Sequence, residues 1–269
     1  MNIELEKALR RIRPYEVEKG ETERIYQQYL IKICEAIKNR GNLSPLMEEA
    51  AKGFSKIEKS DGRRPVIGLI GEFFVRSHSF SNEDIVKKLE ALGLEVWSAP
   101  VNEWFLYRNF RRNMHAMLKS DWGSLLVTGI KNWVQVKDEH RLSHPFCGSL
   151  ETINEPSTDK ILALAKPYIH KTFEGEAIMS IGKARDFISR GVSGVVNTIP
   201  FTCMPGTIAT VILKKVSEDC GNIPHLTIAY DGLSQANTEI RLETFAHQAK
   251  ERAIIHHRGT ENLIATDLH

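Results

Sequence analysis

Residues Val66 to Val75, Val-Ile-Gly-Leu-Ile-Gly-Glu-Phe-Phe-Val, form a nearly unbroken apolar run. Such a run has no polar side to offer solvent, so it predicts a strand covered on both faces. A sheet of that kind needs helices on both sides, and the chain supplies them. Ser81-Asn-Glu-Asp84 reads as a capping box with Asp in place of Glu, opening a helix in which Ile85, Leu89 and Leu92 share a face and Gly93 ends the pattern. Leu94–Trp97 is the next short strand, which completes a β-α-β unit with an expected right-handed crossover. The rhythm returns after residue 175: helix 176–190, strand 194–199, helix 206–219, strand 225–230, helix 237–253. The fold class this predicts is α/β, an open, mostly parallel four-stranded Rossmann-like sheet.

An N-terminal helical segment, 1–60, precedes it. Ile25, Tyr29, Ile33 and Ile37 repeat every four residues with Tyr26, Leu30 and Cys34 beside them, a wide apolar face that places Cys34 in the core. Gly41 is read as the stop of that helix, and Ser44-Pro45 as the N-cap and first position of the next. The polar stretch Lys59–Pro65 leads into the α/β domain, 65–255, which carries an irregular insertion at about 101–175. Within the insertion, 101–119 reads as a helix, 124–130 as a strand or a buried helical piece, and 140–158 as irregular. Residues 256–269 read as a tail.

Charge and cysteine usage exclude several classes. Among 269 residues, 36 Lys and Arg face 34 Asp and Glu, a net charge of +2. That is no electrostatic footprint for nucleic acid. Trp104, Phe105, Tyr107 and Phe110 mix with Arg108, Arg111 and Arg112, a pattern that can stack bases; at this net charge it reads as an amphipathic helix, and no nucleic-acid partner is expected. No apolar run approaches the roughly 18 residues of a membrane span, and Met1–Arg13 lacks the apolar centre of a secretory signal. Four scattered cysteines without a CxxC read as reduced thiols of a cytoplasmic protein.

The sharpest local feature is Pro200-Phe-Thr-Cys-Met-Pro-Gly206, where a buried strand gives way to a helix. Ligands of open α/β sheets bind outside the carboxyl ends of the strands, and a thiol at a helix N-terminus is biased toward thiolate, the nucleophilic and metal-binding form. The bland alternative for Cys203 is a buried cysteine in a tight turn. Cys220, at a helix end before Gly221, reads as packing. His144 and Cys147 have a ligand-like spacing, weak by itself as a zinc signal. The loop Gly71–Ser79 offers Glu72, Arg76, Ser77 and His78 before a helix, suited to a phosphate or carboxylate or to an ordinary polar loop. Asp231, in Tyr230-Asp-Gly232, falls on the same sheet edge as Cys203, as a substrate contact or a turn residue.

Several of these segments together resemble the 2-hydroxyacyl-CoA dehydratase D-component-like family, in the uncharacterised branch related to the C-terminal region of large CoA-enzyme activase proteins. They are Gly175-Glu-Ala-Ile-Met-Ser-Ile-Gly-Lys183, Gly194-Val-Val-Asn197, Pro200-Phe-Thr-Cys-Met-Pro-Gly-Thr207, Tyr230-Asp-Gly232 and Arg241-Leu-Glu243. Upstream, Arg13-Pro-Tyr-Glu16, Gly20-Glu-Thr22 and Gly68–Arg76 fit the same branch, so the likeness spans roughly residues 10–250. The resemblance implies a Rossmann-like architecture and a cysteine-bound iron–sulfur cluster of the 4Fe-4S type. It implies an ATP-hydrolysing activase as electron donor, and an acyl-CoA or other small-molecule substrate that is dehydrated or reduced. Carried over by position, Cys203 is the metal ligand, Met204, Pro205 and Gly206 shape the cofactor loop, and Glu72, Arg76 and Asp231 line the substrate side. Relatives bring further cluster cysteines from an N-terminal α/β domain that this sequence does not include. The expectation is therefore a fragment, split subunit or degenerate homologue whose cluster is shared with a sister subunit or lost. In the second case the chain would be a non-catalytic interaction domain.

Overall fold

A computed structural model describes residues 3–147, 155–232 and 237–266, with 256–266 described as backbone alone. The chain divides into two compact units. One holds residues 1–62 and 100–158, the other 63–99 and 159–269.

The second unit is the predicted α/β domain. Its strands are β1 (Val66–Gly71), β2 (Glu95–Ser98), β3 (Gly194–Pro200) and β4 (His225–Tyr230), all parallel, in the order β2-β1-β3-β4. Residues alternate between the sheet faces with period two. Ile67, Leu69, Val96, Val196 and Ile228 pack under α5 (Ile85–Ala91) and α11 (Thr238–Thr266), with Leu89, Leu242 and Phe245. Ile70 and Val195 pack on the other face under α9 (Glu176–Ser189) and α10 (Met204–Asp219), with Ala184, Phe187 and Leu213. The apolar run that predicts a strand to Val75 is divided: β1 stops at Gly71, and Phe73–Ser77 forms the short helix α4. α8 (Thr158–Ala165) completes the unit, and α11 runs through residue 256, where the sequence predicts a tail to begin.

The capping box at residue 81 is corrected. Glu83 and Asp84 take left-handed φ of 52° and 54°, which displaces Ser81 from the helix start. Asn82 does the work instead: its Oδ1 accepts from the Ile85 N–H at 3.2 Å and its Nδ2 donates to the Val75 carbonyl at 2.7 Å.

The first unit is helical: α1 (Ile3–Ile12), α2 (Glu21–Lys38), α3 (Ser44–Ser55), α6 (Asn102–Leu118) and α7 (Trp122–Ser143). Residues 124–130, open between strand and buried helix in the sequence, are helical within α7, and Leu126, Val127 and Ile130 are exposed. The core of this unit joins Leu5, Ile12, Ile25, Tyr29, Ile33, Met47, Phe54 and Phe146. Cys34 is corrected from core to exposed, because the apolar face of α2 is wider than the core it covers; Ile37 is exposed beside it. α2 ends at Lys38, and Arg40, not Gly41, takes the left-handed turn with φ 53°. α3 is capped one residue earlier than predicted, at Leu43, while the Asn42 Oδ1 accepts from the Ser44 N–H.

Candidate functional site

The strand order reverses direction at β1: β2 lies on one side of it and β3 on the other. The crevice outside the carboxyl ends of β1 and β3 is therefore the switch point at which sheets of this kind bind ligands. The two strand ends are locked together. The Glu72 N–H donates to the Thr198 carbonyl at 2.9 Å, and the Thr198 hydroxyl donates to the Ile70 carbonyl at 3.2 Å. Gly71 has φ +113°, and a Cβ there would lie 2.1 Å from the Thr198 oxygen, so no other residue fits.

From β3 the chain enters the cysteine loop. Thr202, a β-branched residue, takes left-handed φ of 62°, a strained backbone of the kind that concentrates at functional positions at about 1–3 kcal/mol each. Cys203 follows as the N-cap residue of the 16-residue α10, half-buried, its carbonyl accepting from both the N–H and the hydroxyl of Thr207 at 2.9 Å. α10 thus begins two residues earlier than the sequence predicts. Pro205 occupies its first turn, and Gly206 lets the helix settle on Ile199, which a Cβ would meet at 2.6 Å. Phe201 and Met204, on either side, are exposed at 62% and 68%. The loop is apolar on its outer surface.

On the β1 side, Glu72 caps α4, its Oε2 accepting from the Val75 N–H at 2.8 Å. Arg76 is 7% exposed. Its guanidinium donates to the carbonyls of Gly71 and Ala99, clasping the ends of β1 and β2. Asp231 is exposed in the turn after β4. Glu176, in the first turn of α9, is the site residue that sequence reasoning misses. Its carboxyl is pushed up to about 7, first by burial and next by the carboxylate of Glu72; the bond from the Phe73 backbone and the charge of Arg76 restrain the shift. Glu72, Glu176 and Arg76 so form one electrostatically coupled group at the β1 end. An acidic residue in a helix first turn ordinarily complements the helix dipole, which is why the sequence gives no distinguishing signal there.

The other cysteines stand apart. Cys220 caps the far end of α10 and receives a hydrogen bond from the Arg185 guanidinium. Cys147 is exposed, its Sγ 3.8 Å from the Ser143 carbonyl. Among the described residues, no three His, Cys, Asp or Glu side chains converge to hold a metal ion. Among them also, no helix is long and apolar enough to cross a membrane. Comparison with family models, with curated proteins and with solved structures finds no match to this chain.

Proposed function

We propose that this chain is a component of an iron–sulfur, activase-dependent system of the 2-hydroxyacyl-CoA dehydratase or ATP-dependent reductase type, offering Cys203 as its one thiolate toward a cluster. The observation that carries the reading is the placement of Cys203. It is half-buried, follows the strained Thr202, caps a long helix, and lies at the carboxyl edge of the sheet.

A typical four-iron cluster takes four cysteine ligands. The described residues do not fit that requirement, since no three donor side chains converge. On this reading a cluster would be shared, with its other ligands on a sister subunit, and the chemistry of this chain is that of its own residues. The Cys203 loop fixes a thiol in position, and the clasp of Arg76 holds the strand ends. Glu176, its carboxyl pushed up to about 7, can take up or release a proton near neutral pH at the edge where a small-molecule substrate would enter. The lack of converging donors favours a second reading, a non-catalytic interaction domain of the same system.

Iron and acid-labile sulfide, measured after strictly anaerobic preparation in the native chain and in Cys203→Ala, separate the two. Both are measured alone and with a cysteine-bearing sister subunit. Iron that falls with the substitution supports the first reading. Iron absent from every native sample, or bound equally well by Cys203→Ala, removes the first and leaves the second.

A further inference from the structure

The helical unit contains a cavity of about 360 Å³ among α1, α2, α6 and α7. That volume falls within the range of small-molecule sites. The walls are mostly apolar: Leu30 and Ile37 come from α2, Phe105 and Leu106 from α6, and Leu142 from α7. The cavity also accounts for the surplus width of the apolar face of α2. Ile25, Tyr29 and Ile33 enter the core, while Leu30, Cys34 and Ile37 beside them line the cavity.

The charged part of the wall has one sign. Glu4, Asp138 and Glu139 line the cavity, and among the described residues no Lys, Arg or His does. Glu4 is 5% exposed, and its Oε2 has no hydrogen-bond partner among the described residues. Its Oε1 lies 3.5 Å from the Lys7 ammonium, which is also 3.0 Å from Glu155, so that cation is divided between two carboxylates. A first-turn acid complements the helix dipole equally well from solvent, so the dipole does not explain this burial. Asn102 Oδ1, at the start of α6, is a second enclosed acceptor without a partner, on a residue of the same wall. Asp138 is exposed, 3.6 Å from Arg141, whereas the half-buried Glu139 makes no ion pair among the described residues. Burial pushes the Glu4 carboxyl up; the Lys7 ammonium opposes this, and the charge of Glu139 adds to it. Enclosed acceptors without donors cost free energy. A guest that carries donors and a positive charge supplies what this wall lacks, and the apolar remainder of the wall requires an apolar body on the same guest. The same carboxylates repel a carboxylate of equal size.

We propose that the cavity among α1, α2, α6 and α7 binds a small amphiphilic amine, with its ammonium on the side of Glu4 and Glu139 and its apolar body against Leu30, Leu106 and Leu142.

Isothermal titration calorimetry of the full chain with n-octylamine, 1-octanol and octanoate tests this, because the three share a chain length and differ in head group. The expected result is a single site for octylamine with a dissociation constant of about 10–100 µM, octanol weaker by about tenfold or more, and octanoate without measurable binding. Glu139→Gln keeps the shape of the wall and removes one charge. It is expected to weaken octylamine about fivefold to tenfold and to leave octanol unchanged. Cys34→Trp changes an exposed residue of the cavity wall. It fills the space and should abolish binding of octylamine and octanol alike, with far-UV circular dichroism and the thermal midpoint as controls for folding; should that variant fail to fold, the comparison of Glu139→Gln with the native chain decides alone. A native chain that does not bind octylamine at about 1 mM overturns the proposal. Equal affinity for the three head groups overturns it as well, since the wall then selects no charge. So does octylamine binding that either folded variant leaves unchanged, which puts the amine elsewhere on the molecule.

Discussion

The two units put their apolar side chains in opposite places. In the sheet unit, Ile67, Leu69 and Ile70 are wholly enclosed between two helical layers, and successive residues serve alternate faces. In the helical unit, α7 turns two tryptophans and several aliphatics to the surface and lays Thr128 and Ser143 inward beside Leu142. Apolar burial is the main force that fixes a fold. The sheet unit is therefore specified from within, while α7 leaves part of its apolar area uncovered. Equal amphipathicity in a sequence can describe two opposite structural roles.

The largest effect that probes this contrast lies in α9. Lys183 and Asp186 are buried at 1% and 0% exposure, 3.4 Å apart, with Arg190 also on Asp186 at 3.1 Å. Lys183 further lies 4.9 Å from the Phe187 ring centroid. Asp186→Ala leaves an enclosed ammonium without its carboxylate and should cost about 3–5 kcal/mol in urea denaturation. Lys183→Met with Asp186→Asn should cost much less, because both charges leave together. Equal losses in the two variants would mean that packing, not charge, is what the pair provides.

Next comes a matched pair of leucines. Leu69→Ala in β1 should cost about 2–5 kcal/mol, since it opens a cavity between layers. Leu126→Ala in α7 should stay within about 0.5 kcal/mol, because that side chain is 68% exposed. Urea denaturation of the two variants reads both losses. A large loss for Leu126→Ala would place that side chain in a core and remove the contrast.

A smaller effect belongs to the segment joining α1 and α2. Glu16 is buried, and its two carboxylate oxygens accept from the Gly20 and Thr22 N–H groups at 2.9 Å each, capping the start of α2. Thus Arg13-Pro-Tyr-Glu16 and Gly20-Glu-Thr22, two of the segments behind the family resemblance, meet as one capping device. Glu16→Ala should lower stability by about 1–2 kcal/mol, read from the thermal midpoint.

How much of this was legible in the sequence follows from the physics of each element. The four strands are plain because a strand covered on both faces admits almost no polar residue, and the helices between them because their apolar positions share one face. α7 was not, since periodicity reports a face without saying what covers it; Ile130 reads the same whether it points in or out. Turns were missed where a residue other than glycine takes the left-handed conformation, as Arg40, Glu83 and Asp84 do. In the candidate site, Cys203 and its loop are legible from Pro, Cys and Gly at a strand–helix junction. Glu176 is not, because its coupling to Glu72 arises from the sheet, which brings two distant stretches of chain to one edge.

A half-buried carboxyl in the sheet unit and a buried one in the helical unit give the comparison a pH signature. Glu176 in the sheet unit has a folded pKa of about 7 against an ordinary 4.5, from burial and then from Glu72. Between those values the folded chain holds a proton that the unfolded chain has released. The stability this contributes is full below pH 4.5 and is lost as pH rises through 7. The whole shift corresponds to about 3 kcal/mol; solvent screening at a partly exposed site reduces it to about 1 kcal/mol. Glu16 in the helical unit has the opposite sign. Burial opposes its charge, yet the Gly20 and Thr22 hydrogen bonds prevail and hold its pKa below the ordinary value. Its contribution is present above pH 4.5 and is lost as pH falls through that lowered value. Urea midpoints across pH 3–8 should therefore show Glu176→Gln abolishing part of the decline on the alkaline side, and Glu16→Gln part of the decline on the acid side. If Glu176→Gln leaves the alkaline side unchanged, Glu176 does not hold its extra proton and leaves the candidate site; if Glu72→Gln reproduces part of the flattening, the charge of Glu72 contributes to raising Glu176.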